Sequence, residues 1–241
     1  MNRFATIGIL LLLTALSAAA QGLAPLQIGK GGPALSVPMQ IALSLTLLTL
    51  LPAAILCITP FLRITIVLHF LRQALGTQTA PSNQVLLGLS LFLTMVIVQP
   101  VAMDIYNKSW RPMEKGEISA EQAMTSGSVP LKTFLSRFVR EKEVKLFVEI
   151  THTPAPKNAA DLSLMVLIPA YILSELRVGF QIGAVLFLPF LIIDLVVASV
   201  TLTIGMVQLP PVMISAPFKI LLFVLVDGWT LVIGSLMKSF Y

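Results

Sequence analysis

The sequence predicts an all-α, multi-pass membrane protein of about four long, broken hydrophobic helical segments, with a helical polar insertion near its middle. Composition is the first reason. Of 241 residues, 56% are hydrophobic and only 11% charged, with a mean hydropathy of +0.92. A soluble domain carries about 25% charged residues because its surface faces water. The second reason is placement. Seventeen of the 27 charged residues fall between Asp104 and Asp161, which leaves the rest of the chain nearly charge-free, as expected where lipid is the solvent. The third is length: the apolar runs reach or exceed one bilayer thickness.

Residues 1–20 open with Arg3, continue through a short apolar stretch from Ile7 to Leu16, and end in Ser17-Ala18-Ala19-Ala20 before Gln21. One positive charge, a short apolar core and small residues before a polar one predict a cleavable signal peptide, cut between Ala20 and Gln21. The apolar stretch falls short of the roughly 20 residues that a transmembrane helix needs. Residues 21–40, rich in Gly and Pro, read as a flexible mature N-terminus.

Residues 41–103 hold the first two hydrophobic segments. Ile41 to Leu71 is interrupted by Pro52, Pro60 and Arg63, and Val85 to Met103 has the length of about one bilayer core. Between them, a loop near 63–84 carries Arg63 and Arg72 and no acid, which places it in the cytoplasm. The polar stretch 104–161 is then a periplasmic insertion, broken by Pro112, Pro130, Pro154 and Pro156. Within it, Leu131 to Val148 sets Phe134, Leu135, Phe138, Val139 and Phe147 among alternating charges, an amphipathic helix lying on the membrane or on a partner. Residues 162–241 hold the third and fourth segments. Leu162 to Ile204 would span roughly 65 Å as one straight helix, so it must break, tilt, fold back or project beyond the lipid. Pro189 is a candidate break, and Gly179 and Gly183 are candidate points of close helix packing. If the third segment crosses once, the fourth, Val212 to Met237, leaves Tyr241 outside; a double crossing inverts that end.

Chemistry is scarce. The net charge of +5 does not mark a nucleic-acid surface, because the polar stretch holds nine Lys/Arg against eight Asp/Glu. Cys57 stands alone in an apolar run, and His69 and His152 lie far apart without Cys or carboxylates at ligand spacing. No metal or other cofactor site, phosphate loop or nucleophilic triad is present, and no enzymatic activity is expected. The charges inside apolar segments are the informative ones: Glu175, Arg177, Asp194, Lys219 and Asp227. Each costs about 2.5–3.5 kcal/mol near a helix centre, so each should face protein or water. Glu175 and Arg177 lie two apart and cannot pair along one helix, so their partners belong to other helices or other subunits. Structural ion pairs within an assembly are the simpler reading than a proton relay, which needs titratable groups stacked along a path. Asp194 and Asp227 lack the shared motif of an intramembrane aspartyl protease.

Gly205-Met206-Val207-Gln208-Leu209-Pro210-Pro211 is the most irregular stretch. Its prolines end a helix and leave backbone groups unpaired, tolerable at membrane depth only inside protein or beside a wet cavity. The residues alone leave two readings open: a channel constriction formed by Met206, Val207, Gln208 and Leu209, or an ordinary connecting turn.

Pro169-Ala170-Tyr171-Ile172-Leu173-Ser174-Glu175-Leu176, followed by Gly179-Phe180-Gln181-Ile182-Gly183, and then Pro189-Phe190-Leu191-Ile192-Ile193-Asp194-Leu195-Val196, resemble motifs of the FliP export-gate family. Phe218-Lys219 through Asp227-Gly228-Trp229, the ending Ser239-Phe240-Tyr241, and Leu71-Arg72 through Asn83-Gln84 are similar too. The resemblance implies a channel-forming subunit of a type III protein export gate. It implies a ring of like subunits (a pentamer), with FliQ-like and FliR-like membrane proteins as partners beside other export-apparatus components. Unfolded exported polypeptides would pass through the ring in the bacterial inner membrane, at the flagellar basal body. It also implies that much of the ring sits above the bilayer plane. Family members often carry a run of methionines after the glycine matching Gly205, where this chain keeps Met206 alone. The signal peptide and the length of 104–161 favour the flagellar version over the injectisome homologue. A proton-coupled transporter is the rival class, but it should show paired broken helices in inverted repeats.

Overall fold

The structure, a computed structural model, describes residues 36–77, 79–153, 162–205 and 210–241. Among them the protein is entirely helical, without a strand. The chain divides into two compact units, residues 1–53 and 54–241.

Of the first unit, the described part is nearly all helix α1, Val37–Cys57, whose last turn enters the second unit. The helix is apolar on every side, with Pro52 inside it. Its hydroxyls are spent locally: Ser44 donates to the Gln40 carbonyl and Thr46 to that of Ala42, each at 2.8 Å. Such back-bonding hides a polar group where water is absent. The helix begins at Val37, so residues 37–40 are helical and not part of a flexible terminus.

The second unit is built around α2, Phe61–Ala74. Phe61, Ile64, Val67, Leu68, Leu71 and Ala74 are buried, the i, i+3, i+4, i+7 stripe of a core-facing helix. Pro60 precedes it; lacking an N–H, it suits a helix start and separates α2 from α1. The loop expected near 63–84 is therefore mostly helix, and the connection shrinks to residues 75–82. Arg63 is a core residue, 3% exposed, rather than a loop charge.

Helix α3, Asn83–Ile105, is capped by Ser82, whose Oγ accepts from the Val85 N–H at 3.4 Å. It runs past Met103 into a π-helical turn, Tyr106–Trp110, and then the single turn α4, Arg111–Glu114. Helix α5, Ala120–Phe138, starts at a capping box formed by Ser119 and Gln122. Helix α6, Glu141–Thr151, follows. The single amphipathic helix expected over 131–148 is thus two helices. Val139 and Arg140 are extended, and the Arg140 N–H donates to Ser174 Oγ at 3.1 Å, a tertiary bond that no local pattern announces. The apolar face carrying Phe134 and Leu135 is buried within this chain, with Phe134 6.4 Å from the Tyr171 ring.

Helix α7, Leu164–Thr203, runs unbroken for 40 residues through Pro169 and Pro189. Proline 130 likewise sits inside α5. Ending a helix would orphan four N–H and four C=O groups, whereas an internal proline frees far fewer. In apolar surroundings continuity is cheaper. At 1.5 Å per residue α7 is about 60 Å long, twice the roughly 30 Å hydrocarbon core. Its two halves differ: Val166 to Gly183 supply eight buried residues, whereas Val185, Leu188, Ile192, Leu195 and Val196 are exposed.

Helices α8, Pro211–Leu225, and α9, Gly228–Lys238, meet at 67°. The expected fourth segment is therefore bent at Val226-Asp227. Asp227 takes the left-handed conformation at φ 52°, and a Cβ on Gly228 would lie 2.2 Å from the Phe223 ring. Helices α1, α3 and α7 are each long and apolar enough to cross a membrane, and the bent pair α8–α9 could make a fourth span.

Helices α2 and α7 run parallel in close contact, for Gly179 faces Ile66 and Gly183 faces Phe70 one turn further along both. A Cβ on Gly183 would lie 2.6 Å from the Phe70 ring, while one on Gly88 in α3 would meet nothing within 4 Å. Gly183→Ala is therefore expected to destabilise the protein by about 1–3 kcal/mol. Gly88→Ala should be neutral or stabilising by about 0.5–1 kcal/mol. Thermal unfolding of the two variants in detergent checks this, and equal midpoints would show that the α2–α7 contact yields freely.

Candidate functional site

Four of the charges inside apolar segments gather in two clasps, one at each end of α2. At the first, Arg63 projects from the first turn of α2 onto Glu175 of α7. Its Nε donates to Glu175 Oε2 at 2.9 Å, its Nη2 pairs with Oε1, and its Nη1 donates to Ser239 Oγ at 3.1 Å. The Phe240 ring stacks 4.1 Å from the guanidinium, with Phe138 at 5.6 Å. Glu175 is wholly buried. A planar fork that pairs both carboxylate oxygens and offers a face to aromatics is chemistry that arginine has and lysine lacks. Three separate pieces, α5, α7 and the segment after α9, converge on this one side chain of α2. One turn before Glu175, the Tyr171 hydroxyl is buried without a hydrogen-bond partner among the described residues.

At the other end of α2, Lys219 of α8 is 1% exposed. Its Nζ pairs with Asp194 Oδ2 of α7 at 2.5 Å and donates to the Ala74 carbonyl at 3.0 Å. Ala74 closes α2, so the ammonium sits on the orphaned carbonyls and partial negative charge of a helix C-terminus. Ser215 Oγ donates to the other oxygen of Asp194. Gly76, at φ 73°, then turns the chain so closely that a Cβ there would lie 3.4 Å from the Ala216 Cβ.

Arg177 points away from Glu175 toward α6, where Nη1 reaches Glu143 Oε1 at 3.5 Å. This contact is loose: Arg177 is 45% exposed, and the second oxygen of buried Glu143 has no donor among the described residues. Asp227 is exposed at the α8–α9 bend, with no side-chain partner among the described residues. Met206, Val207, Gln208 and Leu209, and the Ala20–Gln21 junction, lie outside the described residues. On either side of the former, α7 ends at Thr203, followed by a turn with Gly205 at φ 84°, and α8 begins at Pro211 after Pro210 as its N-cap. Among the described residues no group of three His, Cys, Asp or Glu side chains could hold a metal.

Sequence reasoning treated Arg63 as an interruption and missed its role. The signal was there: a lone cation in an apolar run requires a counter-charge, and few acids lie in the other apolar runs. Which acid answers it was set by the α2–α7 register. The two clasps are about 16 Å apart along α2, too far for direct proton transfer between them. Each is a neutralised pair that locks helices together.

Removing one partner of such a pair leaves a buried, unpaired charge, which typically costs about 3–5 kcal/mol. Glu175→Gln is expected to lose stability on that scale, and Arg63→Met combined with Glu175→Leu should regain most of it. Arg177→Gln, at a half-exposed pair, should cost less than about 1 kcal/mol. Unfolding midpoints of these variants in detergent decide it; equal losses for Glu175→Gln and Arg177→Gln would deny the first clasp its role.

The FliP family model matches residues 44–236, a range that holds Arg63, Glu175, Asp194 and Lys219. Flagellar biosynthetic protein FliP of Pectobacterium carotovorum subsp. carotovorum is 46% identical over 235 residues, 98% of this chain and 91% of that protein. The protein of the same name from Bacillus subtilis (strain 168) is 46% identical over 205 residues, 85% of this chain and 93% of the relative. A longer namesake from Buchnera aphidicola subsp. Acyrthosiphon pisum (strain APS) is 49% identical over 210 residues, 87% of this chain but 55% of that protein. Matched by the family model over residues 44–236 and by relatives across nearly its whole length, this chain belongs to the FliP family.

Proposed function

We propose that the chain is a channel-forming subunit of the flagellar type III protein export gate, passing unfolded flagellar subunits across the bacterial inner membrane. The carrying observation is the near full-length similarity to proteins named for flagellar biosynthesis. That name also favours the flagellar reading over the injectisome one. The helices support it in physical terms. The second half of α7 and much of α8 leave large apolar side chains uncovered, among them Ile192, Leu195, Met213 and Leu225. Surfaces of this kind are covered by lipid or by neighbouring subunits. Like subunits in a ring, with FliQ-like and FliR-like membrane proteins, are the partners we assign.

In this reading residues 1–20 are removed at Ala20–Gln21, and 104–161 faces the periplasm. The stretch Met206 to Leu209, joining two apolar helices, forms the narrowest part of the closed channel. A thioether chain is flexible and fills irregular gaps. Val207 is stiffer and Gln208 polar, so closure would draw on hydrogen bonds between neighbouring copies of Gln208 as well as on Met206.

Deleting the gene in its host should abolish export of flagellar subunits, with restoration by this chain; normal export in the deletion strain would overturn the reading. Met206→Gly with Gln208→Gly should leave assembly intact and admit small ions, seen as conductance of the purified assembly in planar bilayers. Bilayers that stay tight would make 206–209 a simple turn. In a Cys57→Ser background, cysteines at exposed Glu121 and Met124 should react with a membrane-impermeant maleimide in whole cells. Reaction only after lysis would place 104–161 inside.

A further inference from the structure

Three polar side chains follow one another at helical spacing along one face of α2: Thr65, His69 and Arg72. None of them belongs to either clasp. Arg72 Nη2 stands 3.2 Å from His69 Nδ1. A guanidinium has no acceptor, so Nδ1 must accept, which requires a neutral imidazole with its proton on Nε2. The same guanidinium reaches across to the start of α3. There Nη1 donates to Asn83 Oδ1 at 2.5 Å and to the Pro81 carbonyl at 3.4 Å. Arg72 thus straps the turn 75–82 to α2, and His69 holds the strap from behind. The turn in its place backs α8, for a Cβ on Gly76 would lie 3.4 Å from the Ala216 Cβ and 3.6 Å from Val212 Cγ1.

Protonation takes away what the strap needs. An imidazolium donates from both nitrogens and carries the same sign of charge as the guanidinium beside it. No acid at this end of α2 is free to offset that repulsion. Asp194 of α7 and Lys219 of α8 neutralise each other. The turn 75–82 has no ionisable side chain, and α3 has none before Asp104 at its far end. Arg63, Glu175 and Arg177 belong to the opposite end of α2 and have their own partners. One turn back from His69, however, the Thr65 hydroxyl oxygen is buried without a hydrogen-bond partner among the described residues. It is an acceptor at i−4, on the face that the ring already occupies.

We propose that His69 is a proton-operated latch on the turn 75–82, with Arg72 and Thr65 as its two alternative partners. Neutral, the ring accepts from Arg72 and keeps the turn closed against α8. Protonated from solvent, it swings to donate to Thr65 Oγ1 and releases Arg72 and the turn. The closed form excludes the proton, so its stabilisation is present above the ordinary imidazole range, about pH 6.5, and is lost as pH falls through it. Helix α8 follows directly on 206–209, so an open turn would loosen the frame behind the stretch assigned above to the constriction. That consequence rests on the export-gate reading; the latch itself does not.

Hydrogen–deuterium exchange of the full chain in detergent reads the latch, with rates corrected for the intrinsic effect of pH. The Leu75 and Gly76 N–H groups, bonded to the Leu71 and Gln73 carbonyls, should lose protection about tenfold between about pH 7.5 and pH 5. His69→Asn keeps an acceptor near the Nδ1 position but cannot be protonated, so it should stay protected at both. Arg72→Gln should be poorly protected at both. Thr65→Val should still open, but only at a lower pH. The first turn of α2, around Arg63, should not respond in any of them. Equal protection of the parent at both pH values, or an undiminished step in His69→Asn or Arg72→Gln, would overturn the latch. A parallel loss around Arg63 would mean that the whole chain loosens, and would overturn it as well. A Thr65→Val step at the parent's pH would remove Thr65 as the second partner. Export is not measured, so failure here and failure of the gate reading are distinguishable.

Discussion

Arg63 sits in the first turn of a helix whose other core residues are apolar, and most of the second unit is arranged so that this charge is never alone. A guanidinium there can be satisfied only by partners that the fold carries to it. Glu175 supplies the counter-charge, Ser239 an acceptor, and Phe138 and Phe240 the faces above and beside it. At the far end of α2 the logic reverses: a helix C-terminus offers carbonyls, and Lys219 arrives to meet them with Asp194 as its own counter-ion. Helix α2 is thereby pinned at both ends, to α7 through Arg63 and to α8 through Lys219. Gly179 and Gly183 let it lie close enough for those bonds to reach. Coulombic attraction is stronger in such surroundings than in water, and the penalty for a missing partner rises with it.

The clasps also explain the division of labour along α7. Its first half, from Val166 to Gly183, is held in the core by α2, α5 and α6, while its second half presents bare Leu, Ile and Val. A helix of this length cannot be covered by lipid alone, and a single chain leaves half of it unpacked. The internal prolines fit the same picture. Pro169 and Pro189 sit where an ended helix would strand many backbone groups without water, so the helix continues through them. The chain breaks instead at Thr59-Pro60, at Val139-Arg140 and at Val226-Asp227. There a proline start, the Ser174 hydroxyl, and a left-handed Asp beside a glycine supply what the backbone needs.

Membrane class and helical fold were legible in the sequence because lipid imposes them residue by residue. Nearly every side chain in a spanning helix must be apolar, and the backbone must bond to itself. For the same reason the few charges were legible as exceptions needing partners, and Gly179 and Gly183 as points of close approach. Choice among partners was not. Arg63 and Glu175 are 112 residues apart, and nothing local to either distinguishes Glu175 from Asp194 or Asp227 as the answer. The parallel register of α2 on α7 makes that choice, and it is set by glycines meeting Ile66 and Phe70. Likewise, the apolar face of 131–148 could have met a membrane, a partner or its own chain. Ser174 accepting from the Arg140 N–H turned that face inward and split the helix. Sequence by itself determined what each segment can tolerate around it, since solvation acts on each side chain where it stands. Tertiary structure alone decided which segments satisfy one another, since pairing depends on distances that only packing creates.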